Sequence, residues 1–207
     1  MEITKVEVQK NNEDRVNIYI DDSFYCGLYL DTCIKYGLKK GVSIDKETLD
    51  EYIIESEKQT AFNKTVNYLK ASLKTKKQVR EYLHKKEYNK VTIDYCVAKL
   101  EEYGYISDRQ YAMSYINTYR NKYGIMRLKG NLVAKGVDKT LVDECIAEAM
   151  EENPESSINM VATKYLKNKT IDDKTIQKLI RFLSYRGYEF DSINKVVYSL
   201  KKGDYEC

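Results

Sequence analysis

The sequence has no tryptophan, one histidine (His84), one proline and nine glycines in 207 residues. A histidine-rich metal site or an ordinary Ser-His-Asp triad therefore has a single candidate imidazole. No G-x-x-x-x-G-K-[ST] or G-x-G-x-x-G run is present, and so few glycines leave little room for loops that cradle phosphates. The five cysteines (Cys26, Cys33, Cys96, Cys145 and Cys207) are odd in number and scattered, without a C-x-x-C pair. That pattern signals neither a disulfide framework nor a zinc site, and it suits a reducing compartment. The apolar runs are only a few residues long, too short for a helix that spans a bilayer. The opening MEITKVEVQK lacks the apolar stretch of a secretion signal. These absences predict a cytoplasmic, monomeric protein that is not an enzyme and carries no metal or nucleotide cofactor.

What is present is enough for real cores, with 43% hydrophobic and 32% charged residues. The net charge of +3 hides an asymmetry. Residues 1–60 hold 8 Lys/Arg against 13 Asp/Glu, whereas residues 61–107 hold 10 against 5. An acidic start before a basic body suggests contact with a polyanion or an acidic protein surface. Tyrosine accounts for 20 residues. It suits half-buried positions, with the ring packed and the hydroxyl wet.

The first 30 residues read as β structure. Ile3, Val6 and Val8 sit among polar residues, and Val16, Ile18 and Ile20 alternate on one face of a strand. NNED at 11–14 reads as the turn between them, and SFYCGLYL after Asp21-Asp22 as a third strand. From about residue 30 the pattern is helical. DTCIKYGL predicts a short helix ending near Gly37. Leu49, Ile53, Phe62, Val66, Leu69 and Leu73 predict a long one, bent or broken in the apolar gap at 54–61.

The strongest feature is an internal repeat. The 23-residue segment starting at Gln78 superposes on the one starting at Arg127, 49 residues on, and then on the one starting at Lys178, 51 further. Apolar positions coincide at Val79/Leu128/Leu179, Leu83/Leu132/Leu183, Tyr88/Val137/Tyr188 and Ile93/Val142/Ile193. They coincide again at Val97/Ile146/Val197 and Leu100/Ala149/Leu200. A period near 50 indicates stacked supersecondary units. Each window reads as helix, tight corner, helix, with Lys86-Glu87, Lys135-Gly136 and Arg186-Gly187 at the corners. Glycine just past a helix end takes the left-handed conformation without a Cβ penalty, so Glu87 is the costly member. With a helix upstream of each window, at 61–72, 108–122 and 155–167, three helices recur three times. Thr75-x-x-Gln78 and Ser107-x-x-Gln110 read as capping boxes.

The expected fold is mainly α: three tandem three-helix repeats forming an elongated curved array, preceded by a small antiparallel β meander. The expected divisions are 1–58, 59–107, 108–154 and 155–207.

Four short motifs, in order, resemble those of the regulatory protein RecX family, modulators of the RecA recombinase. They are Tyr68-Leu69 through Lys74-Thr75, Gly104-Tyr105-Ile106-Ser107-Asp108 followed by Tyr111-Ala112, Leu132 through Lys135-Gly136-Val137, and Phe182-Leu183 through Arg186-Gly187-Tyr188. The resemblance covers roughly residues 60–200, and longer members carry a β-containing part like residues 1–58. Ser72 and Lys74 stand where the first motif has arginines, and Glu87 where the first corner tends to have glycine. The resemblance implies a protein that lies in the groove of the RecA nucleoprotein filament and dampens ATP hydrolysis and strand exchange, with single- or double-stranded DNA as a further contact.

The candidate contact residues are basic. Lys76, Arg80 and His84 recur at four-residue spacing on one helix face, with Lys74 and Lys77 beside them. His84 by itself reads as a surface residue. Arg120, Lys122, Arg127, Lys129 and Lys135 fall within Tyr111–Val137, a run of 27 residues without Asp or Glu. An ordinary surface mixes signs, so such a run favours an anionic partner. Arg120, Lys122, Arg127 and Lys129 are expected to be exposed beside a corner at Gly124. In the third unit Lys178, Arg181 and Arg186 are weaker candidates. The competing reading is a tandem helix-turn-helix protein that binds DNA without RecA, and a third is a generic helical scaffold.

Overall fold

Alternating apolar residues at the start of the chain form three antiparallel strands: β1 (Ile3–Gln9), β2 (Asn12–Ile20) and β3 (Ser23–Tyr29), in the order β1-β2-β3. The structure, a computed structural model, describes residues 1–150 and 154–202. Asp21 and Asp22 both take positive φ (50° and 57°), making the two-residue turn whose twist matches antiparallel strands. Ile3, Val16, Ile18, Cys26 and Leu28 point to one buried face. The NNED turn lies one position early: β2 begins at Asn12, because Gln9 pairs with Asn12 and leaves only Lys10 and Asn11 to reverse the chain.

Helix α1 (Leu30–Lys35) and helix α2 (Lys46–Leu69) cover the sheet, with Cys33, Leu38 and Leu49 completing its core. Asp45 caps α2, its carboxylate accepting from the Thr48 amide at 2.8 Å. The expected break at 54–61 is absent, and α2 runs unbroken for 24 residues. The gap in the apolar stripe is filled by small buried residues, Ser56, Thr60 and Ala61, with buried Thr65 one turn further on. The Thr60 and Thr65 hydroxyls donate to the carbonyls of Ser56 and Ala61, at 2.8 and 2.7 Å. Their polarity is thereby satisfied inside the helix, and the Ser56 hydroxyl accepts from the Tyr29 amide at 2.6 Å.

The rest is helical: α3 (Lys76–Lys85), α4 (Lys90–Glu102), α5 (Asp108–Tyr119), α6 (Ile125–Ala134), α7 (Lys139–Met150), α8 (Pro154–Leu166), α9 (Asp173–Tyr185) and α10 (Phe190–Lys202). The repeat is structural. α3 and α6 start 49 residues apart, and α4, α7 and α10 start at intervals of 49 and 51. Val79, Leu128 and Leu179 are fully buried, as are Leu83, Leu132 and Leu183. Glu87, Gly136 and Gly187 all take positive φ (62°, 90° and 82°), so the three corners share one backbone path. The Thr75 box is reciprocal: the Thr75 amide donates to the Gln78 side chain at 3.1 Å and the Gln78 amide to the Thr75 hydroxyl at 3.2 Å.

The chain divides into two compact units. The first comprises Met1–Ser72 and Val79–Tyr105 and holds the sheet, α1, α2, most of α3 and α4. The second comprises Leu73–Gln78 and residues from Ile106 on. Its two cores are one under α5–α7 (Ala112, Ile116, Leu128, Leu132, Val142) and one under α8–α10 (Ile158, Ala162, Leu179, Leu183, Ile193). No helix among the described residues is long and apolar enough to cross a membrane.

Candidate partner and nucleic-acid interface

The acid-free stretch 111–137 forms most of α5, the turn at Gly124, α6 and the second corner. Tyr111, Tyr115, Tyr119 and Tyr123 are four residues apart, which puts all four rings on one side of α5 and its extension. Successive ring centroids lie 6.4, 4.5 and 5.6 Å apart. The ladder continues through a cation. The Arg127 guanidinium lies 4.6 Å from the Tyr123 centroid and 4.6 Å from that of Tyr185, and it donates to the Tyr185 carbonyl at 2.8 Å. Lys122 and Lys135 stand over Tyr123 and Tyr115 at 5.4 and 5.9 Å. The Asn131 side chain donates to the Tyr115 hydroxyl at 2.9 Å, while burial pushes that phenol above its ordinary pKa.

The result is a ribbon of four half-buried rings, continued by the exposed Tyr185 and topped by fixed positive charge. Such a surface attracts phosphates and acidic side chains. The four-residue tyrosine spacing is present in the sequence and is the signal that marks this ladder. Tyr185, 51 residues after Ala134, was visible only in three dimensions.

The basic candidates fall into two groups. Several are tied into the fold. Arg127 and Lys129, expected to be exposed, are half-buried: the first is clamped between two rings, and the second pairs with Asp143 at 2.6 Å. Arg186 lies over the Phe182 ring at 4.4 Å and donates to the Lys122 carbonyl at 3.0 Å. Lys77 is exposed, yet its ammonium donates to the Ala134 carbonyl at 3.3 Å. The Lys76 amide donates to the Asp108 carboxylate at 2.9 Å, and the side chains of Lys74 and Lys76 are half-buried. The others lie on the surface. Arg120, Lys122, Lys178 and Arg181 are exposed, Arg120 with a long contact of 3.4 Å to the Ala149 carbonyl. In the first unit Arg80 is exposed and pairs with Asp94, and His84 is exposed.

No group of three or more His, Cys, Asp or Glu residues placed to hold a metal occurs among the described residues. The described cysteines are buried, and desolvation pushes the thiols of Cys26 and Cys96 up to about 11.

Models of four parts of one family match along the chain: the "Regulatory protein RecX N-terminal domain" at residues 1–45, and the first, second and third RecX three-helix domains at 61–100, 107–146 and 155–197. The chain belongs to the RecX family. It is 32% identical over 206 residues to the Regulatory protein RecX of Clostridioides difficile (strain 630), covering 98% of this chain and 97% of that one. It is 33% identical over 207 residues to that of Clostridium perfringens (strain 13 / Type A), covering 98% of each. Among solved structures, a crystal structure of regulatory protein RecX superposes with a TM-score of 0.70 at 22% identity, covering 93% of this chain and 97% of that one. RecX from Lactobacillus salivarius superposes at 0.63 and 24% identity, covering 70% and 97%.

The motif residues have definite structural roles in this fold. Asp108 caps α3 from the next repeat, Gly136 accepts Lys77, and Gly187 accepts Arg127. The motif residues stitch the second unit together, while the exposed Arg120, Lys122 and Arg181 lie between them.

Proposed function

We propose that this chain regulates the RecA recombinase by binding along the groove of the RecA–DNA filament and restraining its ATP hydrolysis and strand exchange. The observation that carries the reading is membership of a family of regulatory proteins across nearly the whole chain, joined to an acid-free aromatic and cationic ribbon in the second unit. A ribbon spreads many weak contacts over a long surface, as a filament partner needs, in place of one deep pocket. The proposed contacts are Lys122, Lys135, Arg120 and Arg181, with Lys74, Lys76, Lys77 and Arg80 as a second basic segment. The protein acts as a cytoplasmic monomer, in which 1–58 and 59–107, joined through the unbroken α2, work as one part beside 108–154 and 155–207.

The test is RecA-catalysed ATP hydrolysis on single-stranded DNA with and without the protein. Dose-dependent loss of hydrolysis supports the reading, and an unchanged rate at saturating protein overturns it. Tight binding to a duplex in the absence of RecA would favour a DNA-binding protein acting alone, which three-helix units with tight corners also suit.

A further inference from the structure

Among the described residues, two of the three corners are filled, each by the start of the preceding repeat's second helix. At the Gly136 corner the Thr75 hydroxyl donates to the Lys135 carbonyl at 2.7 Å, and the Lys77 ammonium to the Ala134 carbonyl at 3.3 Å. At the Gly187 corner the Gly124 amide donates to the Arg186 carbonyl at 2.9 Å, and the Arg127 guanidinium to the Tyr185 carbonyl at 2.8 Å. Thr75 and Gly124 are 49 residues apart, and Ala134 and Lys135 lie 51 before Tyr185 and Arg186. One location is therefore used twice, with different donors: the start of a repeat's second helix seats on the next repeat's corner, through the Thr75 hydroxyl and Lys77 in one case and the Gly124 amide and Arg127, one position further along, in the other. The seat has no room for a Cβ. One on Gly136 would overlap the Cβ, Cγ and Cδ of Lys77, and one on Gly187 the backbone of Arg127.

The first corner has the same backbone path but carries Glu87, exposed, at φ 62°. The cleft beside it, 720 Å³ and open, is lined by both signs of charge, with Glu81 among Arg80, His84, Lys85 and Lys90. The opposite member of the interface is altered too. In the third repeat the residue equivalent to Thr75 and Gly124 is Thr175. There the helix starts early, at Asp173, and the Asp172 carboxylate accepts from the Thr175 amide at 2.7 Å. Thr175 thus lies inside the first turn, and the capping residue ahead of it offers an acceptor side chain where Thr75 offers a donor.

We infer that both ends of the repeat array are closed copies of its internal interface, and that they keep a second copy of the chain from docking head to tail. Such a contact is heterologous and does not close on itself, so an open pair of ends would propagate into fibres. A Cβ at one end and an added helical turn at the other remove the fit while keeping the fold.

The test opens each end. Glu87→Gly opens the acceptor; Asp172→Gly with Asp173→Gly unwinds the extra turn and returns the cap to Thr175. In sedimentation velocity the unaltered chain should stay monomeric as concentration rises. The variant opened at both ends should sediment faster with concentration, and a mixture of the two singly opened variants should form one-to-one complexes. Association of the unaltered chain through these ends overturns the inference, as do opened variants that fold and stay monomeric. A second measurement holds even where the unwound variant does not fold. Gly136→Glu places the blocking residue at a filled corner, and amide exchange at 75–78 should quicken while α7 keeps its protection. Unchanged exchange there overturns the claim that a glutamate closes the seat.

Discussion

Lys77 lays its side-chain carbons over Gly136, in the space that a Cβ on that glycine would fill. Positive φ is thus only half of what the position demands. Gly104 is also left-handed, at 71°, but a Cβ there would meet nothing within 4 Å. Gly104→Ala should cost about 1 kcal/mol, the backbone penalty alone. Gly136→Ala and Gly187→Ala should cost about 3 kcal/mol, since overlap with packed atoms is added. Urea titrations of the three variants check the order.

Glu87→Gly should act the other way. The glutamate is exposed and holds φ 62°. Relief of that strain, less the extra freedom glycine gives the unfolded chain, should raise stability by about 0.5–1 kcal/mol. A higher urea midpoint at unchanged m-value is the expected result.

Charge reversal should separate the two kinds of cation. Lys122→Glu and Arg181→Glu lie on the surface and should leave stability within about 0.5 kcal/mol while weakening the proposed inhibition of RecA, most steeply at low salt. Arg127→Ala should lower stability by about 1–2 kcal/mol, because two ring contacts and a carbonyl bond go with it. Thermal melts beside RecA ATPase assays distinguish loss of contact from loss of fold.

Ser56→Ala should be costly for so small a change. The Tyr29 amide would lose its acceptor at the join of sheet and helix, at about 1–3 kcal/mol. Ser56→Thr, which keeps the hydroxyl, should cost less in the same denaturation experiment.

Cys26 and Cys96 should resist alkylation. With thiols pushed up to about 11 by burial, roughly 0.1% is thiolate at pH 8. Mass spectrometry after iodoacetamide should show slow labelling of the native protein and rapid labelling in urea.

The repeat was legible because it rests on burial: Leu83, Leu132 and Leu183 had to coincide for the same helix pair to form three times. The corners were legible for a similar reason, since lysine or arginine followed by glycine marks a helix end. Two features escaped for physical reasons. Ser56, Thr60 and Thr65 read as polar, yet they are buried because their hydroxyls bond within reach of the helix. Arg127 read as a surface cation, but the ring that completes its clamp comes from Tyr185, 58 residues away. Charge in a sequence gives the sign of a surface; it does not say which cations the fold has already engaged.

Helix α2 carries Leu49 under the sheet at one end and buried Ala61 and Thr65 against the first repeat at the other, without a break between them. The first repeat is therefore not a detachable module. A graft that begins at its first helix would sever α2 in mid-course, expose the residues the sheet covers and leave the cut end without the Asp45 cap. An exchange of parts between relatives would have to carry the sheet and the first repeat together, and keep Leu73–Gln78 matched to the second unit to which they belong.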